Sequence, residues 1–238
     1  MEELGTILGV WAHPDDEGYL SAGIMATAVR SGQRVVCVTA TRGEAADPDR
    51  WPPEDLAKIR EGELYACLGI LGVTEHRWLD YPDGGCAEVD PDEAAGKLAA
   101  IIDEVKPDTV LTFGPDGQTG HTDHIAVCEW TTRAVARAMH SAELHYSTHT
   151  PEWAAAFLAA AVAHNVMMTD DIEMPSVSRE QLSIVFPMTE EILELKERAM
   201  VAQASQSAEL RAAMGEDAYR EVLREEVFRR APDRHTQA

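Results

Sequence analysis

Two short polar clusters, each set directly behind an apolar run, hold side chains able to bind a divalent cation and move a proton. The first, Ala12-His13-Pro14-Asp15-Asp16-Glu17, follows Ile7-Leu8-Gly9-Val10-Trp11. The second, Gly120-His121-Thr122-Asp123-His124, comes after Thr109-Val110-Leu111-Thr112-Phe113. His13 and Asp16 stand three positions apart with Pro14 between them. A proline restricts the backbone on both of its sides, which helps hold neighbouring donors in a fixed relation. His121 and His124 repeat that spacing at or just before the start of a helix. Catalytic zinc sites take three nitrogen or oxygen ligands and leave a fourth position for water. His13, Asp16 and His124 are therefore assigned to the metal. Zn2+ is the expected ion, and Fe2+ also fits two imidazoles with one carboxylate.

Asp15 is the better general base, because its neighbour Asp16 is committed to the cation. A bound cation lowers the pKa of its water, and a carboxylate beside it can take the proton during attack. His121 would face the oxyanion or the leaving group, with Asp123 close enough in sequence to orient its ring. Plainer readings compete with these. A histidine ahead of a helix is usually a cap or a satisfied polar group, and adjacent carboxylates are usually solvated. Neither explains why both clusters lie just past apolar strands, the context in which such a motif means a site.

Those strands belong to an alternating pattern. Thr6–Trp11 reads as a strand, and Gly18–Ser31 as a helix whose stripe of Leu20, Ile24, Ala28 and Val29 stops at Gly32. Arg34–Ala40 is β-rich, Thr41-Arg42-Gly43-Glu44 is a loop, and Asp47 to Pro53 is a surface loop that could act as a lid. Glu54–Leu71 is helical, His76–Leu79 a short strand, and Asp80-Tyr81-Pro82-Asp83-Gly84-Gly85 a turn. Asp92–Val105 is a helix ended by Pro107, Thr109–Phe113 a strand, and His124–Met139 a helix. This order predicts an α/β fold of Rossmann-like type, with a mostly parallel twisted sheet and helices on both faces. In such sheets ligands bind beyond the carboxyl ends of the strands. Past residue 145 the expectations are a helix over Glu152–His164, a strand over Leu182–Phe186, and helices over Glu190–Met214 and Asp217–Arg229. The chain is expected to form a single domain over 1–238, with a core at 4–145 and a C-terminal completion at 146–230.

Composition narrows the partners. The net charge of −22 argues against nucleic acid or an anionic membrane surface, both of which need basic patches. The longest mostly apolar run, Trp153 to Val166, is too short to span a bilayer, so no membrane insertion is expected. No secretory signal is visible behind Glu2 and Glu3. Cys37, Cys67, Cys86 and Cys128 lack C-x-x-C spacing and read as thiols of a reducing compartment, so the cytoplasm is the expected location. A homo-oligomer is compatible with the sequence.

With both clusters in view, Ala12-His13-Pro14-Asp15-Asp16-Glu17 resembles the A-H-P-D-D-E signature of the LmbE-like, or N-acetylglucosaminyl-phosphatidylinositol de-N-acetylase-like, metal-dependent deacetylases. Gly120-His121-Thr122-Asp123-His124 resembles that family's G-H-x-D-H block. The likeness continues through Thr41-Arg42-Gly43-Glu44, Arg60-Glu61-Gly62-Glu63 and Tyr81-Pro82-Asp83-Gly84, covering most of residues 6–135. It implies zinc-dependent hydrolysis of an N-acyl group, usually acetyl on a glucosamine unit, in a small-molecule N-acylated amino-sugar conjugate. It places His13, Asp16 and His124 on zinc and makes Asp15 the base. By the same resemblance Glu44, Arg60 and Asp83 line the substrate site. The chain departs from the pattern at Thr119, where some members place Tyr, and at Gln203, where a His often precedes Ser-Gln. Ala163–Pro175, with Met167, Met168, Met174 and Asp170-Asp171, matches no motif, and core filling is its preferred reading. The rival functions are a metal-dependent hydrolase of a non-sugar amide or phosphoester, and a non-catalytic sugar-conjugate-binding protein.

Overall fold

In the computed structural model, which describes residues 4–164 and 175–232, an unbroken apolar run forms the middle of the sheet. Strand β1 (Ile7–Trp11) is buried along its whole length. A parallel strand covered on both faces has no reason to alternate polar and apolar residues. The chain continues through α1 (Asp16–Arg30), β2 (Val35–Thr39), α2 (Pro53–Leu71), β3 (Glu75–Trp78), α3 (Pro91–Val105) and β4 (Thr109–Thr112). Next come the single turn α4 (Gly117–Gly120), α5 (Thr122–Arg137), β5 (Glu143–Ser147) and α6 (Pro151–His164). The remainder is β6 (Ile184–Pro187), α7 (Glu190–Ala202), α8 (Ala204–Met214), α9 (Glu216–Val222) and β7 (Glu225–Arg230).

The strands lie in the order β3-β2-β1-β4-β5-β7-β6. β1 through β5 pair in parallel, whereas β7 runs antiparallel to both β5 and β6. The α/β expectation therefore holds. Helices α3 and α5 pack against each other, and α1, α2 and α7 form a second group. The chain moves outward from β1 to β2 and β3, then returns to place β4 on the other side of β1. That reversal makes the carboxyl ends of β1 and β4 the switch point of the sheet, where ligands bind in open α/β folds. Both polar clusters begin there.

Three local expectations are corrected. Asp217–Arg229 is not one helix, since α9 stops at Val222 and β7 enters the sheet between β5 and β6. Val227 and Phe228 are buried there, and the charged residues around them hide the strand. Glu190–Met214 is two helices broken at Gln203, which is buried. Strand β5 has no counterpart among the expected elements. Met167, Met168, Met174 and Asp170-Asp171, like the tail after Pro232, lie outside the described residues.

A buried ion pair ties the C-terminal segment to α1. Lys196 Nζ donates to Glu226 Oε1 at 2.8 Å and to the Tyr19 carbonyl at 2.7 Å. Glu226 also accepts the amides of Gly23 and Ile24, each at 2.9 Å. Both side chains are 1% exposed. Breaking such a pair strands a charge in the interior and costs about 3–5 kcal/mol. Lys196→Met should thus lower Tm by roughly 6–20 °C at the few degrees per kcal/mol expected for this size. Thermal unfolding followed by circular dichroism checks this. Adding Glu226→Gln should recover part of the loss.

Candidate metal centre

His13 and Asp16 leave the end of β1, and His124 comes from the first turn of α5 beyond β4. All three are buried. His124 Nε2 lies 3.3 Å from His13 Nδ1 and 3.4 Å from Asp16 Oδ1, and His13 Nδ1 is 3.6 Å from Asp16 Oδ2. Tetrahedral ligands bound at ~2.0–2.1 Å are separated by about 3.4 Å. The His13–His124 and His124–Asp16 Oδ1 separations match neighbouring ligands of one small cation, whereas His13 faces the other Asp16 oxygen; the donors of His13, His121 and His124 all lie within 4.8 Å of one another.

Each ligand atom is aimed from behind. His124 Nδ1 lies 3.0 Å from the Gly117 carbonyl, which can only accept. That leaves the Nε2 lone pair for a metal. Phe113 stacks on the same ring, with centroids 4.1 Å apart and planes at 10°. His13 Nε2 is 3.0 Å from Asp83 Oδ1 and 3.3 Å from Asp123 Oδ2, which turns Nδ1 toward the site. The His13 amide donates to Asp16 Oδ2 at 2.7 Å. Asp123 is fixed in turn by the amides of Gly84 (2.8 Å) and Cys86 (3.2 Å).

The two histidines shift in opposite directions. Burial pulls the His13 pKa down, but contacts with Asp123, Asp16 and Asp83 outweigh it and raise the value well above the ordinary range. Burial pushes Asp16 up, yet His124 and His13 bring it down to about 2. Burial lowers the His124 pKa against the opposing pull of Asp16.

Asp15 sits at the entrance to α1 with φ of 116°, a strained conformation for a residue with a side chain. Its amide donates to Glu17 Oε2 at 3.1 Å, and the fully buried Glu17 is held by the Gln203 side-chain amide at 2.5 Å. The Gln203 departure thus falls on a residue that supports the loop. Burial raises the Asp15 pKa to about 7 against the opposing pull of Arg60.

The other expected residues are placed as follows. His121 caps α5, its Nδ1 accepting the Asp123 amide at 3.1 Å, so a neutral ring carries its proton on Nε2. Its ring lies 4.8 Å from that of His13 and 4.9 Å from that of His124, so a third imidazole also converges on the centre. The Asp123 side chain orients His13, not His121, which corrects the expectation drawn from their closeness in sequence. Asp83 likewise bears on His13, with its second oxygen accepting the Ala45 amide at 2.8 Å. Arg60 is 3% exposed. It donates to the carbonyls of Gly43 (2.9 Å) and Pro14 (2.5 Å) and lies 3.5 Å from Asp15 Oδ2. It braces the loop from within. A Cβ on Gly43 would lie 2.2 Å from this guanidinium, so only glycine fits there. Glu44 accepts the Asp83 amide at 3.0 Å through one oxygen, while the other is buried without a partner.

Because Asp123 acts through His13, Asp123→Asn should weaken metal binding about 10–100-fold, the usual effect of losing a carboxylate behind a ligating imidazole. Competition with a chromophoric chelator measures it. Unchanged affinity in a folded variant would sink the assignment.

The sequence model for GlcNAc-PI de-N-acetylase (PIG-L) matches residues 8–135. A 1D-myo-inositol 2-acetamido-2-deoxy-alpha-D-glucopyranoside deacetylase from Kineococcus radiotolerans is 37% identical over 162 residues, covering 56% of this chain and 45% of that protein. The chain spans about half the length of the curated relatives it matches. Among solved structures, the N,N'-diacetylchitobiose deacetylase from Pyrococcus horikoshii is similar with a TM-score of 0.67 and 18% identity, over 95% of this chain and 84% of that one. GalB, the 4-carboxy-2-hydroxymuconate hydratase from Pseudomonas putida KT2440, has a TM-score of 0.66 and 15% identity over 98% and 99%. These two likenesses concern the fold, and a fold of this kind hosts more than one chemistry.

Proposed function

Because the chain belongs to the GlcNAc-PI de-N-acetylase (PIG-L) family, we propose that it hydrolyses the N-acyl amide of a glucosamine-type conjugate, using a divalent cation, zinc first, held by His13, Asp16 and His124. The observation that carries this reading is His124 Nε2 standing 3.3 Å from His13 Nδ1 and 3.4 Å from Asp16 Oδ1 at the switch point of the sheet. Bound there, a cation supplies Lewis acidity toward the acyl carbonyl and acidifies water.

The chain's own groups do the rest. Asp15, beside the ligand residues, takes the proton from water as it attacks and returns it to the departing amine. His121, donating through Nε2, faces the developing oxyanion. The unpartnered oxygen of Glu44 suits a sugar hydroxyl, since a buried acceptor without a donor is costly until a ligand supplies one. Phosphoryl transfer is less well served, because it uses cationic clamps. Arg60 is spent on backbone carbonyls, and Arg42 on Asp80 (2.5 Å) and Glu61 (3.2 Å). Four free cysteines, all buried, accord with a cytoplasmic enzyme. No helix among the described residues is long and apolar enough to cross a membrane.

The test is release of free amine from a panel of N-acetylglucosaminides, an inositol glycoside included, by zinc-loaded and chelator-stripped protein. Metal-dependent release is expected. Failure on every N-acylated sugar with a loaded centre would overturn the reading.

A further inference from the structure

One side of the centre opens into a cavity of about 310 Å³, with Asp16 and His124 in its wall. By exposed area the rest of its lining is largely apolar, with Leu20, Leu210, Val222 and Leu223, although Gln118, Thr119, Ser147, Thr148 and two glutamates also reach it. A further wall is aromatic. His149 stacks on Trp153 with centroids 3.9 Å apart and planes at 8°, and Trp153 on Phe157 at 5.1 Å and 5°. The Trp153 indole N–H is already satisfied by the Val222 carbonyl at 2.9 Å, which holds the ring in place. Burial pushes the His149 pKa down to about 4, so this wall is uncharged at neutral pH.

A second set of polar groups stands outside this cavity. Among the described residues, Asp15, Glu44, Asp83 and His121 are not part of this lining. An amide held at the centre sends its two substituents apart, the acyl group one way and the amine the other. The polar half of the substrate matches the Glu44 side, which leaves the acyl group for the apolar cavity. An acetyl methyl would fill little of it, since a cavity of roughly 150 Å³ already accepts benzene.

We propose that this cavity is an acyl-binding site and that the preferred substrates are amino sugars N-acylated by straight chains of about six carbons or more, a volume argument from cavity filling. The inference rests on the hydrolase reading given above. In the reaction the oxygen of water joins the acyl carbon, the C–N bond breaks, and the products are a fatty carboxylate and a free amino sugar. Each methylene removed from water should gain about fourfold in kcat/KM.

The experiment compares amine release from N-acetylglucosamine, N-hexanoylglucosamine and the octyl glycoside of N-acetylglucosamine by zinc-loaded full-length protein. The hexanoyl amide should exceed the acetyl amide on the order of 100-fold in kcat/KM. Leu210→Trp, which fills the cavity from a partly exposed position, should narrow that ratio at least about tenfold, shown by a rise in KM for the longer chain. Acetyl turnover equal to or above hexanoyl turnover would overturn the acyl site while leaving the hydrolase reading intact. Preference for the octyl glycoside over the hexanoyl amide would also overturn it, by assigning the cavity to the aglycone. No amine from any of the three would remove the hydrolase reading itself, and the acyl site with it.

Discussion

His124→Ala is expected to leave the purified protein without stoichiometric metal and to lower hydrolysis by about 10³–10⁴-fold, the rate equivalent of losing several kcal/mol of transition-state charge stabilisation. The reason is geometric. His13 and Asp16 come from one loop, and His124 meets them from the other side of the switch point, with Nε2 3.3 Å from His13 Nδ1 and 3.4 Å from Asp16 Oδ1. Without it the proposed three-ligand set of the kind catalytic zinc takes is broken, and His121 is engaged in capping α5 through Nδ1. Elemental analysis on the folded variant is the decisive measurement, and one equivalent of tightly held metal in His124→Ala would refute the ligand set. Because the ring also stacks on Phe113 at 4.1 Å, removing it opens space in the core. His124→Gln keeps most of the bulk, and it should show the same loss of metal with a smaller loss of stability.

The location of this centre could be read from local pattern because two of its causes are local. Strand β1 is buried on both faces and so appears as Ile7-Leu8-Gly9-Val10-Trp11 without a polar break. The polar residues that follow it can only be tolerated at a sheet edge or a site. What could not be read depends on distant contacts. Asp123 reaches His13 across 110 positions, and nothing in its neighbourhood marks that destination. Its nearness to His121 suggested a side-chain contact, whereas the backbone amide makes the contact and His121 plays the capping role common for polar side chains at helix starts. Arg60 carries the charge expected of a sugar contact, yet Gly43 lets the guanidinium sink against two carbonyls. Strand β7 was hidden for a similar reason. Glu226 looks like a solvent-facing residue until Lys196 and two amides of α1 are seen to surround it. In β5, His145 is buried with a partner, Ser183 Oγ at 2.8 Å, that lies 38 positions away. Charged strands of this type are affordable only once those partners exist, so alternation is lost from the sequence.

The Asp15→Asn substitution should lower kcat about 10²–10⁴-fold, the range for losing a positioned general base. Metal content should not change, because Asp15 is not among the proposed ligands. The carboxamide keeps nearly the same volume and can still occupy the strained turn at φ 116°, since the Glu17 contact that holds it comes from the backbone amide. What it cannot do is accept a proton from water. Its Arg60 neighbour, 3.5 Å away, loses a charge partner but keeps the Pro14 and Gly43 carbonyls, so the loop should remain in place. An interaction needed only in the transition state lowers kcat and kcat/KM together. A rise in KM at constant kcat would mean that Asp15 holds the ground-state substrate. Loss of bound metal would mean that it shapes the centre electrostatically. Turnover within a few-fold of the parent would return the base role to another group, and the three converging imidazoles make His121 the first to examine.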